Sequence, residues 1–357
     1  MGEIYEHGVS TGAVRVHHQL LLFMQRPRVG LCYDTFADYT WQPGDPADAD
    51  AEFEPRATVE ALAAAVEACG FTPVDIGPAR ALQEQLCGGL TLDAAINIAE
   101  SAHSRNREAY VPILLEMAGI PCLGSDALTL SLSLDKAWTK DLVHRAGVPT
   151  PPYVSIADPS DVEPDVLPAP FPLFVKPRYE GTSKGITAES KVHTVAAVRE
   201  AVARVVDRYR QPALVEAFIA GGGEFTVAVT GHAPPEALPA LQRATEATTG
   251  IGLHALEHRG MPEAAWTHTL QGTLDPALEA TLQQHARTVF QTLECRDFAR
   301  ADFRVDGDGH VWFLEINPLP SFAPDDTFAI IAELMDTPYE AFLADVLRNG
   351  FERIGLG

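Results

Sequence analysis

At 357 residues the chain is long enough to bury more than one core, and a formal net charge of −23 argues against nucleic acid as its partner. Hydrophobic residues make up 46%, mean hydropathy is near zero and no apolar run reaches bilayer length, which excludes a disordered or membrane-spanning chain. Five cysteines (Cys32, Cys69, Cys87, Cys122 and Cys295) are scattered with no C-x-x-C pair, the pattern of a reduced, cytoplasmic chain without a zinc knuckle.

Residues 1–27 hold one short apolar stretch, "HHQLLLFMQ", and read as an extension before a domain that starts at "RPRVGLCYD". "RVGLCYD" (28–34) has the pattern of a buried strand, and "PRATVEALAAAVEAC" (55–69) that of a helix stopped by Gly70. "FTPVDIG" and "AAINIAE" read as strands, and "NREAYVPILLEMAG" (106–119) as a helix ended by Gly119. This alternation predicts an open α/β sheet in the first third. A helix over about 135–146 follows, then a proline-rich joint from 149 to 172. "FPLFVKP", "KGITAES" and "PALVEAFIA" are expected strands, with a helix through "AVREAVARVVDRYR" between the second and third. "GGGEFTVAVTG" re-enters a sheet, "LEATLQQHARTVFQTLE" is a helix, "ARADFRVDGDGHVWFLEIN" is a hairpin, and "PYEAFLADVLRNGF" is the last helix.

Three stretches carry chemistry. In the hairpin, an Asp308-Gly309 type I′ turn predicts Asp302 opposite Glu315 and Arg300 opposite Asn317, all on one face. Like charges across a ladder repel, so a divalent cation is expected to offset them. Two carboxylates and an amide oxygen are hard ligands that suit Mg²⁺, although a strand face can also be simply solvated. "FVKPRYEGTSKGI" (174–186) sets Lys176 at a strand end before a small-residue loop able to curl around phosphate oxygens, or to be no more than a polar turn. "LVEAFIAGGGEF" (214–225) reads as an interlobe linker that lends backbone groups to an adenine edge and Glu224 to a ribose, or as a glycine-rich bend.

"DKAWTK", "VKPRYEGTSKGI", "VEAFIAGGGEFTVAV", "RADFRVDGDGHVWFLEINPLP" and "YEAFLADVL" occur in that order. Over roughly residues 94–349 this series resembles the D-alanine–D-alanine ligase-like branch of the ATP-grasp carboxylate–amine ligases. The resemblance implies an N-terminal open α/β domain (28–134) followed by a two-lobed, α+β ATP-grasp fold, its central subdomain at 135–220 and its catalytic subdomain at 221–350. It implies Lys136 and Lys176 on ATP phosphates, and Glu180, Gly181, Thr182 and Ser183 as a mobile loop closing over them. Glu216, Ala217, Phe218 and Ile219 would frame adenine, with Glu224 on the ribose. Asp302, Glu315 and Asn317 would hold two Mg²⁺ ions, or Mn²⁺ in their place, and Arg300, with Ser183, would serve the reacting acyl group. The implied reaction makes an amide through an acyl phosphate, releasing ADP and phosphate. Related enzymes are often homodimers through the first domain.

Departures from that pattern bear on the substrate. The branch's "EREVS"-type loop is replaced by "YDTFADYTWQPGD", and its "HGxxGEDG" loop by "AESAHSRNREAY", which brings His103, Arg105, Arg107 and Glu108. "NPLPSFAPDDTF" sets Ser321 and Asp326 where the branch binds an acceptor carboxylate, and an aspartate there repels one. A lysine expected near "LEHRG" is replaced by His258 or Arg259. The sequence therefore reads as a ligase for amino-acid-like carboxylates and amines in specialised metabolism. Arg105 and Arg107 are expected on a substrate carboxylate, or as a solvated helix start, and Asp325 or Asp326 on a cationic or hydroxylated acceptor. Synthesis of D-alanyl-D-alanine for cell walls, and nucleotide binding without catalysis, are the alternatives.

Overall fold

The protein is described by a computed structural model over residues 26–231, 233–252, 268–269 and 274–357. Residues 1–25 of the expected extension, and His258 and Arg259, lie outside the described residues.

The first unit alternates strand and helix. β1 (Arg28–Tyr33), α1 (Arg56–Ala68), β2 (Thr72–Gly77), α2 (Ala79–Cys87), β3 (Ala94–Ile98), α3 (Tyr110–Ala118) and β4 (Cys122–Leu123) build a parallel sheet of order β2-β1-β3-β4. β3, "AAINI", is buried at every position because helices cover both faces. Leu62 and Val66 of α1 pack on one side of the sheet, and Leu82, Val111 and Leu115 on the other. Gly119 stops α3 in the left-handed region at φ 69°. The connection from β1 to α1 is long, and its end, "AEFEP", returns beside β1 through a Thr35–Glu54 bridge.

α4 (Ala127–Leu134) and α5 (Lys136–Arg145) abut at Asp135, which ends the first helix and caps the second by accepting from Trp138 N. A four-stranded antiparallel sheet then forms from β5 (Tyr153–Ile156), β6 (Leu173–Pro177), β7 (Lys191–Val192) and, after α6 (Val195–Tyr209), β8 (Ala213–Ala217), in the order β5-β8-β6-β7. "KGITAES" is not a strand. Gly185 takes φ 79°, Thr187 and Ser190 cap a single 3₁₀ turn, and pairing resumes only at Lys191.

The last unit holds β9 (Gly221–Thr230), β10 (Glu236–Ala237), β11 (Leu241–Arg243), the short pair β12 (Thr245–Glu246) and β13 (His268–Thr269), α7 (Pro276–Thr292), β14 (Phe298–Asp306), β15 (Val311–Asn317), α8 (Thr327–Leu334) and α9 (Tyr339–Arg353). Its main sheet runs β10-β9-β14-β15, with β11 also on β9. α7 buries Leu282, Ala286, Val289 and Phe290 against Val227, Val229, Ala301 and Phe303. α9 instead returns to the first unit, sharing one core with α1 through Leu343, Leu347 and Phe351, so both ends of the described chain hold the same sheet. Among the described residues no helix is long and apolar enough to cross a membrane.

The triple glycine belongs to the strand expected there and is not a bend. It begins β9 and lies against the β14 end, where a Cβ on Gly222 would stand 2.5 Å from the Asp306 carbonyl oxygen. Only a residue without a side chain admits that approach.

Candidate functional site

The β14–β15 hairpin supplies the floor of the site. Its turn is not the two-residue form expected at Asp308-Gly309. Val305 pairs with Val311, the Gly309 amide donates to the Asp306 carbonyl, and Gly309 takes φ 87°, so three residues form the loop. That loop shifts the register by one, and a bulge between Asp302 and Phe303 shifts it back. Beyond the bulge Asp302 faces Glu315 and Arg300 faces Asn317, the pairs read from the sequence. The bulge also turns Leu314 and Glu315 to the same cleft.

The charge balance differs from the sequence argument. Arg300 donates to Asp302 at 3.1 Å, and Thr226 Oγ1 donates to the other Asp302 oxygen. Lys136 and Lys176 stand 3.4 and 3.7 Å from Glu315. Burial pushes the Glu315 carboxyl up, but Lys136, Lys176 and Arg300 more than offset it and hold it at about 2. Side-chain cations thus stabilise the pair, and a divalent ion is not required for the two acids to coexist. Asn317 Oδ1 accepts from Leu319 N at 2.9 Å, fixing the turn of "NPLP". The Nε–H of Arg300 is buried without a hydrogen-bond partner, a donor left for an occupant.

Above this floor, Lys176 on β6 and Lys140 on α5 hold Glu216 between them at 2.9 and 3.0 Å. Lys140 was not singled out as a site residue. The second lysine of "DKAWTK", one helical turn after Lys136, is the signal that would have found it. Burial pushes its ammonium down to about 8. Glu216 places its carboxylate on the two lysines, and the residue also lines the cleft. Ala217, Phe218, Ile219 and Glu224 line the cleft with Ile186, Ile251 and Ser183. Lys191 and Arg304 stack on the Phe218 ring at 4.2 and 4.5 Å, and Arg304 pairs with Glu224 at 3.5 Å. The cleft encloses about 70 Å³, against roughly 300–1,000 Å³ for a site holding a drug-sized ligand, so a nucleotide-sized occupant requires its walls to part.

The glycine loop faces two ways. Ser183 borders the cleft, whereas Glu180 and Lys184 border a second cavity. Thr182 and Ser183 take φ 43° and 54°. Gly181 N donates to Glu52 at 2.5 Å and Gly185 N to Asp48 at 2.8 Å, both from the long β1–α1 connection. Lys136 Nζ donates to the Glu180 carbonyl oxygen. Glu52, also missed in the sequence, accepts further from Arg107 and from Lys184 at 3.2 Å. It lies some twenty residues after β1, where no short motif announces it.

The expected substrate residues do not form one group. Arg107 is 3% exposed, with one terminal nitrogen on Glu52 and the other donating to the Tyr179 carbonyl oxygen at 2.8 Å, so only its Nε–H is left without a partner. Arg105 instead lies over the Trp138 and Tyr179 rings at 4.8 and 5.1 Å, and His103 packs beside Tyr39. Glu108 is buried beside Glu100. Ser321 donates to Glu54 at 2.9 Å. Asp326 caps α8 and stands 3.9 Å from Arg243, with Arg300 lowering its carboxyl, whereas Asp325 is exposed.

The donor set of Asp302, Glu315 and Asn317 is all hard oxygen on one strand face beside three cations, which fits Mg²⁺ shared with phosphate oxygens.

The D-Ala–D-Ala ligase C-terminus family matches residues 142–348. A D-alanine–D-alanine ligase of Paraburkholderia phytofirmans is 31% identical over 288 residues, spanning 80% of this chain and 86% of that one. The uncharacterised protein y4sG of Sinorhizobium fredii is 31% identical over 262 residues, 72% of this chain and 74% of its own. Among solved structures, the D-alanine–D-alanine ligase of Bacillus anthracis complexed with ATP superposes with a TM-score of 0.68 at 18% identity, covering 92% of this chain and 98% of its own. The VanG D-Ala:D-Ser ligase of Enterococcus faecalis gives 0.67 at 18%, covering 91% and 100%. The chain belongs to the D-alanine–D-alanine ligase-like branch of the ATP-grasp ligases, ATP-dependent enzymes that form a C–N bond.

Proposed function

We propose that this enzyme activates the carboxylate of one amino-acid-like substrate with ATP and joins it to the amine of a second, the pair being other than two D-alanines and serving specialised metabolism. A carboxylate oxygen attacks the γ-phosphorus and ADP leaves. The amine nitrogen then attacks the carbonyl carbon of the acyl phosphate, inorganic phosphate leaves, and the amine gives up a proton. The observation that carries this reading is the convergence of Lys136, Lys176 and Arg300 on Asp302 and Glu315. Phosphoryl transfer needs positioning and charge neutralisation more than a protein nucleophile. On this reading the lysines exchange Glu315 for phosphate oxygens when ATP enters. Asp302, Glu315 and Asn317 would hold two Mg²⁺ ions, or Mn²⁺, which supply neutralisation of the transferred phosphoryl charge. Ser183 borders the same cleft, and Arg300 Nε–H is the donor for the oxyanion that forms on amine attack.

The substrate reading rests on the Ser321–Asp326 segment. An acceptor carboxylate there would face Glu54, already on the Ser321 hydroxyl, and Asp326. Both repel it, whereas a cationic or hydroxylated acceptor is favoured. The D-alanine–D-alanine ligases among the relatives support the second reading, D-alanyl-D-alanine synthesis. ADP release with pairs of D- and L-amino acids, the product identified by mass, separates the two. A mixed pair outpacing D-alanine alone is expected. D-alanine alone as the best substrate, or no ADP release with any pair, overturns the proposal.

A further inference from the structure

A second cavity among the described residues is larger than the nucleotide cleft. It encloses about 670 Å³ on the far side of the glycine loop, between the β1–α1 connection, the 102–107 loop and the end of α6. Its lining carries five basic side chains, Arg105, Arg107, Lys184, Arg208 and Arg210, against two acids, Asp45 and Glu180. In a chain of net charge −23, that clustering runs against the general field.

Two of the five are balanced at the floor, Arg107 and Lys184 sharing Glu52 and Glu180. Arg107 nevertheless keeps a buried Nε–H with no hydrogen-bond partner. Arg105 is held by its two aromatic neighbours and by Asp135 at 3.5 Å. Arg208 and Arg210 have no carboxylate within 4 Å among the described residues, and Arg210 reaches the cavity from a left-handed position at φ 53° that ends α6. Clustered cations repel one another, and an anion between them removes that cost.

We propose that this cavity is a second ligand site, for a small dianion, and that its occupant bears on the glycine loop from the side opposite ATP. Phosphate monoesters and dicarboxylates share the required chemistry. Glu180 and Lys184 are cavity wall and loop at once, so an anion drawing on Lys184 competes with Glu52 and Glu180 for that ammonium and changes how the loop is held.

The test is calorimetry on the full chain without amino acids, using inorganic phosphate and succinate as probes, each with and without saturating Mg-ADP to fill the nucleotide cleft. It requires no turnover, so its failure is distinct from failure of the ligase reading. The variant is Arg208→Ala with Arg210→Asn, because Asn tolerates the left-handed backbone that Arg210 occupies. Neither position belongs to the catalytic face, and basal ADP release is expected unchanged. The expected result is binding that persists with Mg-ADP and weakens about tenfold or more in the double variant, as for loss of a charge-assisted hydrogen bond. Phosphate alone binding identifies the ester class, and succinate alone the dicarboxylate class. Binding abolished by Mg-ADP, binding unchanged in the double variant, or no binding of either probe at millimolar concentration overturns the proposal.

Discussion

The Glu52 carboxylate accepts the Gly181 amide at 2.5 Å, joining the first domain to the loop beside the proposed phosphate site. The contact lies 2% exposed on the Glu52 side, where burial pushes the carboxyl up but Arg107 and Lys184, with the Gly181 amide, bring it to about 2. A carboxyl depressed on folding adds stability above its ordinary value, about 4.5, and loses it as pH falls toward 2. Glu52→Gln is therefore expected to cost on the order of 3 kcal/mol at pH 7. Urea unfolding of both proteins checks it: the gap should close as pH falls from 4.5, and a gap independent of pH would refute the ionic account.

Glu108, on the other side of the same Arg107, moves the opposite way. Burial raises its carboxyl to about 7, Arg107 opposing and Glu52 reinforcing the rise. A carboxyl raised on folding contributes its full stability below about 4.5, and that contribution is lost as pH climbs through 7. Glu108→Gln should thus be more stable than the parent at pH 8, by on the order of 3 kcal/mol, and equal to it below pH 4.5. Equal stability at both values would show that Glu108 is ionised without penalty.

The two glutamates mark where the sequence stopped being readable. The α/β alternation, α5 and the Asp302–Glu315 pairing were legible because hydrophobic period and strand register are local. The turn was misread by one residue, and the β15 bulge restored the pairing, so the facing acids followed from a compensated error. Lys140 was legible only as a motif letter, since burial between two sheets is a tertiary fact. Glu52 was not legible: it reaches Gly181 across 129 positions, from an irregular connection with no periodicity to read. α2 escaped notice because it is only nine residues long and buries a single side chain fully, Leu82.

Gly222 is predicted to be intolerant of alanine. The added methyl would meet the Asp306 carbonyl oxygen at 2.5 Å and Val305 Cγ1 at 2.6 Å, and the former is backbone that cannot rotate away. Relief requires the start of β9 to separate from the hairpin, at a cost of about 1–3 kcal/mol. Glu224, two residues on and paired with Arg304, would shift with it. A lower unfolding midpoint together with weaker ATP binding is expected, and an unchanged KM for ATP would detach the glycines from the nucleotide cleft.

Glu315→Gln separates the two compensations available to that acid. Without nucleotide its charge is met by Lys136 and Lys176. Removing it leaves Lys176 on Glu216 and Lys136 on the Glu180 carbonyl but takes away the acid that repels phosphate, so metal-free ATP should bind as well as before or better. The increment that Mg²⁺ adds to ATP affinity should disappear, and chelation, expected to lower ATP affinity in the parent, should have nothing left to remove. Titration of ATP with and without Mg²⁺ measures both. A variant that retains the full magnesium increment would exclude Glu315 as a ligand.

Arg300 tests the chemistry itself. It is anchored to Asp302 at 3.1 Å and keeps a buried Nε–H without a partner. If that donor meets the oxyanion formed when the amine attacks, its loss acts on the transition state more than on bound ATP. Arg300→Ala should lower kcat by about 10²–10³-fold, the range for deleting one oxyanion donor. Arg300→Lys keeps the charge that Asp302 requires but not the planar fork, so it should restore stability without restoring the rate. Burst measurement of ADP locates the step: an intact first turnover of ADP with slow product formation assigns Arg300 to amine attack, whereas loss of the burst assigns it to phosphoryl transfer. A kcat within a few-fold of the parent for Arg300→Ala would remove Arg300 from the reaction altogether.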